Sequence, residues 1–283
     1  MATDTISESQ FPPLEARSPF ELRCNWTPRV SEEDVRKALI SGEMGFLHSF
    51  TTGSTVDGPG VRVVAWTTGC QFRCLYCHNP DTWNLNNGIP VTLSRAVEQL
   101  GKYRRGLKTM SGGFTLSGGE PLMQDRFVVK LLSAAHGMGI HTALDTNGSL
   151  GHRLSDQELD AIDLVLLDIK CWDRDIHRRL TGMELAPVLE FARRLASRRQ
   201  PVWLRYVLVP TLTDNKEDIA HLADFVAELG NVQRVDVLPF HQLGKFKWKE
   251  LKLNYQLEQL QPPSAELVRI AIDQFRGREL NAF

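Results

Sequence analysis

Three cysteines, Cys70, Cys74 and Cys77, stand within eight positions in the stretch "GCQFRCLYCHNP", and the chain holds only two others, Cys24 and Cys171. Thiolates at that density repel one another unless a cation sits between them, so the spacing Cys-x3-Cys-x2-Cys points to a metal centre. A structural zinc site takes four protein ligands. His78 adjoins Cys77, and adjacent residues rarely turn both side chains on one ion, while Cys24 and Cys171 are distant in sequence. Zinc is therefore one ligand short. An iron–sulfur cube tolerates the shortage, because three cysteines each hold one iron and the fourth iron stays open to an exogenous ligand.

The elements that would position such a centre follow from the apolar pattern. From Gly45 onward, short apolar runs alternate with amphipathic ones. Strands are predicted over 61–68, 113–118, 140–146, 163–170, 202–209 and 234–240. Helices are predicted near 92–105, 123–137, 156–161, 185–199, 215–229 and 264–276. Several strands are almost continuously apolar, as strands covered on both faces should be, and the strand–helix alternation implies parallel pairing through right-handed crossovers. A closed eight-stranded barrel would need two more strands. The fold class expected is α/β, an open, partial (β/α)6 barrel of TIM type, with a doubly wound sheet as the competing arrangement. Residues 1–44 read as an N-terminal extension, rich in Pro, Ser and Glu, with one helical stretch over 31–40 capped by Ser31. Residues 45–283 form the barrel domain.

Polar residues gather at the ends of these strands. The first runs into the cysteine loop, the second into "SGGEP" (117–121), the third into "DTNG" (145–148) and the fourth into "DIK", with Asp168 and Lys170. The fifth carries Arg205 and the sixth delivers His241. In barrels of this type the carboxyl ends of the strands converge on one face, which holds the site. A charged pair such as Asp168 and Lys170, breaking an apolar strand, is costly to bury without partners.

Bulk properties exclude several classes. A net charge of −1 provides no global field to recruit nucleic acid or an anionic membrane. The basic runs at 104–108 and 193–199 read as solvated helix faces. No apolar run approaches the ~20 residues that span a bilayer. The N-terminus lacks the plan of a secretory signal, and its acids Asp4, Glu8, Glu15 and Glu21 argue against a transit peptide. An odd number of cysteines with three clustered is no disulfide framework, so a reducing, cytoplasmic setting is expected.

The cysteine spacing, with Tyr76 before the last cysteine, resembles the signature of the radical S-adenosylmethionine (SAM) enzymes. The stretches "SFTTGSTVDGPGVRVVAWTTGCQFRCLYCHNPDTW", "SGGEP", "HTALDTNG", "DLVLLDIK", "VWLRYVLVPTLTD" and "VLPFHQLGKFKW" follow the order of the pyruvate formate-lyase activating enzymes within that superfamily. The resemblance covers the chain from about Gly45 onward. It implies a [4Fe–4S] cluster held by Cys70, Cys74 and Cys77, whose open iron is chelated by SAM. It also implies a reductive cleavage of SAM whose 5′-deoxyadenosyl radical takes hydrogen from one glycine of pyruvate formate-lyase. By the same resemblance, Tyr76, His78, Gly118, Gly119, Glu120, Asp168, Lys170, Arg205 and His241 contact SAM. Asp145, Thr146, Asp168 and the main chain of Leu166 would form a monovalent-cation site. Asp57, in "TVDGPG", would touch the protein substrate, and flavodoxin or ferredoxin would supply the electron. Two alternatives stand beside this: the same chemistry on another glycyl-radical enzyme, and a non-catalytic zinc-binding protein.

Overall fold

The computed structural model describes residues 32–283. In chain order the elements are α1 (Glu32–Ser41), β1 (Met44–Ser54), β2 (Arg62–Thr67), β3 (Ile89–Thr92), α2 (Leu93–Gly101), α3 (Arg104–Thr109), β4 (Gly113–Gly118), α4 (Asp125–Gly137), β5 (His141–Thr146), α5 (Asp156–Leu159), β6 (Leu164–Asp168), α6 (Arg174–Thr181), α7 (Ala186–Ser197), β7 (Val202–Leu208), α8 (Lys216–Leu229), β8 (Val232–Pro239), α9 (Lys245–Glu250) and α10 (Ala265–Arg276). The eight strands are ordered β3-β1-β2-β4-β5-β6-β7-β8 in an open sheet. β2 lies beside β4, and from β4 onward each strand lies beside the next one in the chain. A doubly wound sheet must reverse its strand order at a switch point, and no such reversal occurs here. The expected open, largely parallel α/β sheet with six strand–helix repeats is what forms.

Two strands escaped the sequence pattern. β1 and β3 pair antiparallel, β1 with β2 (Phe50 opposite Ala65) and with β3 (Phe46 opposite Pro90). They bring the sheet to eight strands without adding to the parallel series. The helix expected over 92–105 is two, broken between Gly101 and Arg104. The short helices α6 and α9 were not expected at all. α1 forms where the sequence placed it, while its expected cap Ser31, like Cys24, lies outside the described residues. Among the described residues no helix is long and apolar enough to cross a membrane.

The chain divides into two compact units. One comprises residues up to Cys70, Thr82–Leu144 and Leu154–Ile162; the other comprises Gln71–Asp81, Asp145–Arg153 and Asp163–Phe283. In the first, β2 and β4 pair in parallel (Ala65 with Leu116), as do β4 and β5 (Leu116 with Leu144). Val64, Phe114, Leu116, Leu144 and Phe127 are all buried in its core. Arg62 is buried as well, and its guanidinium donates to Thr115 Oγ1 (3.0 Å) and to the carbonyl of Phe114 (2.7 Å).

In the second unit, β6, β7 and β8 run parallel, Leu167 beside Leu204 and Leu204 beside Val235. The last residues complete the edge of β8. Val235 N–H donates to Asn281 (2.9 Å), and Phe283 N–H donates to Val235 (3.0 Å). Val237 N–H donates to Phe283 (3.0 Å). The Arg234 guanidinium lies 4.7 Å from the ring centres of both Trp203 and Phe283. Deleting residues 281–283 is expected to cost about 2–3 kcal/mol and to expose an unpaired strand edge. Thermal unfolding and light scattering check this: a lower Tm with concentration-dependent scattering is expected, and unchanged behaviour would contradict it.

Candidate metal and cofactor site

The cysteine loop of the second unit, Gln71–Asp81, is pinned from two sides. At its start, Arg73 N–H donates to the carbonyl of Thr181 (2.7 Å) and Leu75 N–H to that of Leu180 (3.0 Å), both at the carboxyl end of α6. Phe72 meets the His177 ring edge-on, with 5.7 Å between centres. At its end, the Trp248 indole N–H donates to the carbonyl of Cys77 (2.8 Å). Lys247 of α9 reaches Asn79 Oδ1 (2.8 Å) and Asp81 (2.9 Å). Between these anchors Cys77 N–H donates to the Cys74 carbonyl (3.0 Å), a turn carrying two half-buried thiols outside any disulfide. Tyr76 packs with Leu180, Val209, Phe240 and Leu257, and Cys74 lies against the same cluster.

The charges beside this loop come from the end of β6 and the residues just after it. Lys170 Nζ lies 2.7 Å from Asp168 Oδ2 and 5.8 Å from the centre of the Tyr76 ring. Burial alone would lower the ammonium's pKa. Asp168, Tyr76 and Cys74 together outweigh it and hold Lys170 well above the ordinary lysine value. Burial pushes the Cys74 thiol up to about 12, with Lys170 pulling it back and Cys77 and Asp168 adding to the rise. A thiol so buried becomes a thiolate once a cation compensates it, which suits it to metal ligation. The Tyr76 hydroxyl is buried with no hydrogen-bond partner. His78 stacks on His241 at 4.0 Å and 16°, and its Nε2 donates to the His241 carbonyl (3.1 Å). Burial lowers the His78 pKa, with the bond to His241 opposing.

The remaining expected residues of this unit are already engaged. Arg205 Nη1 pairs with Asp145 Oδ2 at 3.1 Å, both side chains being nearly buried. Thr146 Oγ1 accepts from Gly148 N–H (3.0 Å), and Leu166 is buried within β6. The two acids expected to hold a monovalent cation therefore each carry a basic partner, Arg205 and Lys170.

In the first unit, the strand-end glycines close on the backbone that leads to Cys70. Glu120 N–H donates to Gly69 (2.7 Å) and Gly119 N–H to Thr67 (2.9 Å). A Cβ on Gly119 would stand 2.5 Å from Gly69 O and 3.1 Å from Cys70 Cβ. Glu120 is fully buried, and its Oε1 accepts from Leu122 N–H (3.0 Å), which caps the short turn over 121–124. Gln124, which the sequence did not mark, donates to Phe46 O (2.8 Å) and Thr68 O (2.9 Å) and accepts from Phe46 N–H (2.7 Å). The Asp57 carboxylate accepts from Ser54 Oγ (2.6 Å), and its carbonyl accepts from Thr115 Oγ1 (2.6 Å).

Sequence reasoning also missed His177, Lys247 and Trp248 as supports of the cysteine loop. Only the quoted "GKFKW" contained any of them, and nothing in its pattern pointed to Cys77. Among the described residues no three His, Cys, Asp or Glu side chains are gathered for one metal ion, the three cysteines of the motif included.

His177 gives a pH prediction. Its Nδ1 faces the Met183 carbonyl (3.0 Å), an acceptor, so that nitrogen carries the proton. Burial holds its pKa below 6.5, against the opposing pull of that bond. The unfolded chain therefore binds this proton more readily. The stability contributed by neutral His177 is complete above about pH 6.5 and is lost as pH falls below it, at up to ~1.4 kcal/mol per pH unit. Denaturant titrations from pH 7.5 to 5.5 should show this slope in the parent and a shallower one in His177→Phe; equal slopes would contradict it.

Comparison with known proteins agrees with this chemistry. A family profile described as the radical SAM superfamily matches residues 64–226. A pyruvate formate-lyase-activating enzyme from Staphylococcus epidermidis is 44% identical over 234 residues, covering 80% of this chain and 93% of that protein. Among solved structures, a domain of a pyruvate formate-lyase-activating enzyme from Bacteroides vulgatus aligns with a TM-score of 0.50 and 25% identity, covering 61% of this chain and 98% of that one. Streptococcus suis SuiB, solved with S-adenosylmethionine bound, shares the fold with a TM-score of 0.55 at 18% identity, over 77% of this chain and 48% of its own.

Proposed function

The chain belongs to the radical SAM superfamily and, within it, to the pyruvate formate-lyase-activating enzymes, and from that premise we propose that it installs a glycyl radical on pyruvate formate-lyase. The observation that carries this reading is the pinned loop that holds Cys74 and Cys77 in one turn, with Cys74 beside the Asp168–Lys170 pair. Cys70, Cys74 and Cys77 would hold three irons of a [4Fe–4S] cluster. Bound together, cluster and SAM would supply one-electron reductive cleavage of SAM and, through it, removal of a hydrogen atom from a glycine of the partner, with methionine and 5′-deoxyadenosine as products.

The chain's own residues have separate tasks in this reading. Lys170 lowers the cost of a charged Cys74, and Asp168 keeps that ammonium in place. The apolar packing around Tyr76 excludes water from one side of the loop. Backbone at Gly118, Gly119 and Glu120 would take the amino group of SAM; Tyr76, His78, Asp168, Lys170, Arg205 and His241 would take the rest of it. Asp57 would meet the protein substrate, and a flavodoxin or ferredoxin would deliver the electron. A monovalent cation at Asp145, Thr146, Asp168 and Leu166 O would share its carboxylates with Arg205 and Lys170. A SAM titration in potassium against choline tests that point.

Anaerobic reconstitution with iron and sulfide tests the whole. Four irons per chain, SAM-dependent 5′-deoxyadenosine and loss of both in Cys74→Ala are expected. A tight zinc with no cluster would overturn the reading.

A further inference from the structure

We propose that His177 is a positioning residue for the cysteine loop: it fixes the turn that ends α6, and so places the two carbonyls to which the backbone on either side of Cys74 is bonded. The inference rests on the reading of Cys74 as a cluster ligand.

An α-helix leaves its last carbonyls without partners inside the helix. In α6 two of these, on Leu180 and Thr181, accept from Leu75 and Arg73, the residues that flank Cys74. The placement of Cys74 therefore depends on how rigidly α6 ends. That end is closed by a knot of short-range bonds. Gly182 stands in the left-handed conformation (φ 77°), and its N–H returns to the carbonyl of Arg178 (2.8 Å). The Thr181 hydroxyl donates to the carbonyl of His177 (2.8 Å) and accepts from Met183 N–H (3.1 Å). His177 Nδ1–H then donates to the carbonyl of Met183 (3.0 Å), which ties the residue after the turn back to the helix.

Packing alone does not call for an imidazole here. His177 is fully buried, and its Nε2 has no hydrogen-bond partner. An apolar ring would fill the space without burying an unsatisfied nitrogen. What the imidazole adds is the bond to Met183, together with the edge-on contact to Phe72 that reaches the loop directly.

The test compares His177→Phe, which keeps the ring and its volume but loses the N–H, with His177→Asn, whose side-chain amide offers an N–H near the Nδ1 position. Hydrogen exchange is measured on the metal-free protein, and cluster loss to an iron chelator on the reconstituted protein. His177→Phe is expected to speed exchange of the Arg73 and Leu75 amides about tenfold or more, with β6, β7 and β8 unchanged. The cluster should leave several-fold faster, and His177→Asn should restore most of both. Parental exchange at Arg73 and Leu75 would overturn the proposal. So would faster exchange spread through β6 to β8, or an Asn variant no better than Phe. If His177→Phe does not fold, Thr181→Val, which removes both hydroxyl bonds at nearly constant shape, is read by the same criteria. Cys74→Ala separates the two levels. A full cluster in that variant would sink the ligand reading and this inference with it. No cluster there, with parental cluster loss in His177→Phe, would sink this inference and leave the ligand reading standing.

Discussion

Replacing Gly118 with alanine is expected to lower the unfolding free energy by roughly 3–5 kcal/mol and the Tm by about 10 °C. Two effects add. Gly118 ends β4 at φ 129°, where an L side chain is strained, and a Cβ there would stand 2.2 Å from both N and O of Thr67. The obstacle is the backbone of β2, which cannot turn aside as a side chain would. Gly119→Ala is expected to act more locally. Its Cβ would press on Gly69 O at 2.5 Å, so the backbone entering Cys70 must retreat. The cost in stability is about 1–3 kcal/mol, and the iron retained after reconstitution should fall well below that of the parent. Calorimetry and iron analysis check both variants. A Gly119→Ala protein with a full cluster would show that the approach of Gly119 to Cys70 is incidental.

Lys170→Met is the second large effect. Lys170 and Asp168 form a close pair at 2.7 Å, with side chains 13% and 20% exposed. Removing one member of a mostly buried pair strands the other charge, at a cost of about 3 kcal/mol. Cys74 also loses the cation that draws its pKa down. Lower stability and weaker cluster retention should therefore appear together, with weaker SAM binding on the reading proposed above. Lys170→Arg restores the charge but not the compact ammonium, and should recover stability more fully than SAM affinity. Chemical denaturation and SAM titration separate the two, and parental values in both for Lys170→Met would contradict the assigned role.

How much could be read in advance follows from burial. The six parallel strands were legible because both faces are covered, so segments such as "LVLLD" in β6 are almost wholly apolar. β1 was not legible, because His48, Ser49, Thr51 and Thr52 interrupt its apolar half and its far end is exposed. α6 is eight residues long with three arginines, and only His177, Leu180 and Thr181 face inward, too few to establish a period. α9 is six residues long. These two unexpected helices are the ones that anchor the cysteine loop, through contacts about a hundred residues or more away in sequence, which no local pattern reports. The site shows the same division. Spacing singled out the three cysteines as candidates, and strand ends singled out Asp168, Lys170 and Arg205. That Gly118 and Gly119 make room for the β2 backbone and its extension toward Cys70, and that Asp145 is paired with Arg205, needed the fold.

The central claim is tested most directly by electron paramagnetic resonance of the reconstituted, reduced protein incubated with SAM and pyruvate formate-lyase. The expected result is a [4Fe–4S] signal altered by SAM, followed by a glycyl radical on pyruvate formate-lyase that Cys74→Ala does not produce. A cluster that responds to SAM while pyruvate formate-lyase stays radical-free would contradict the assigned target.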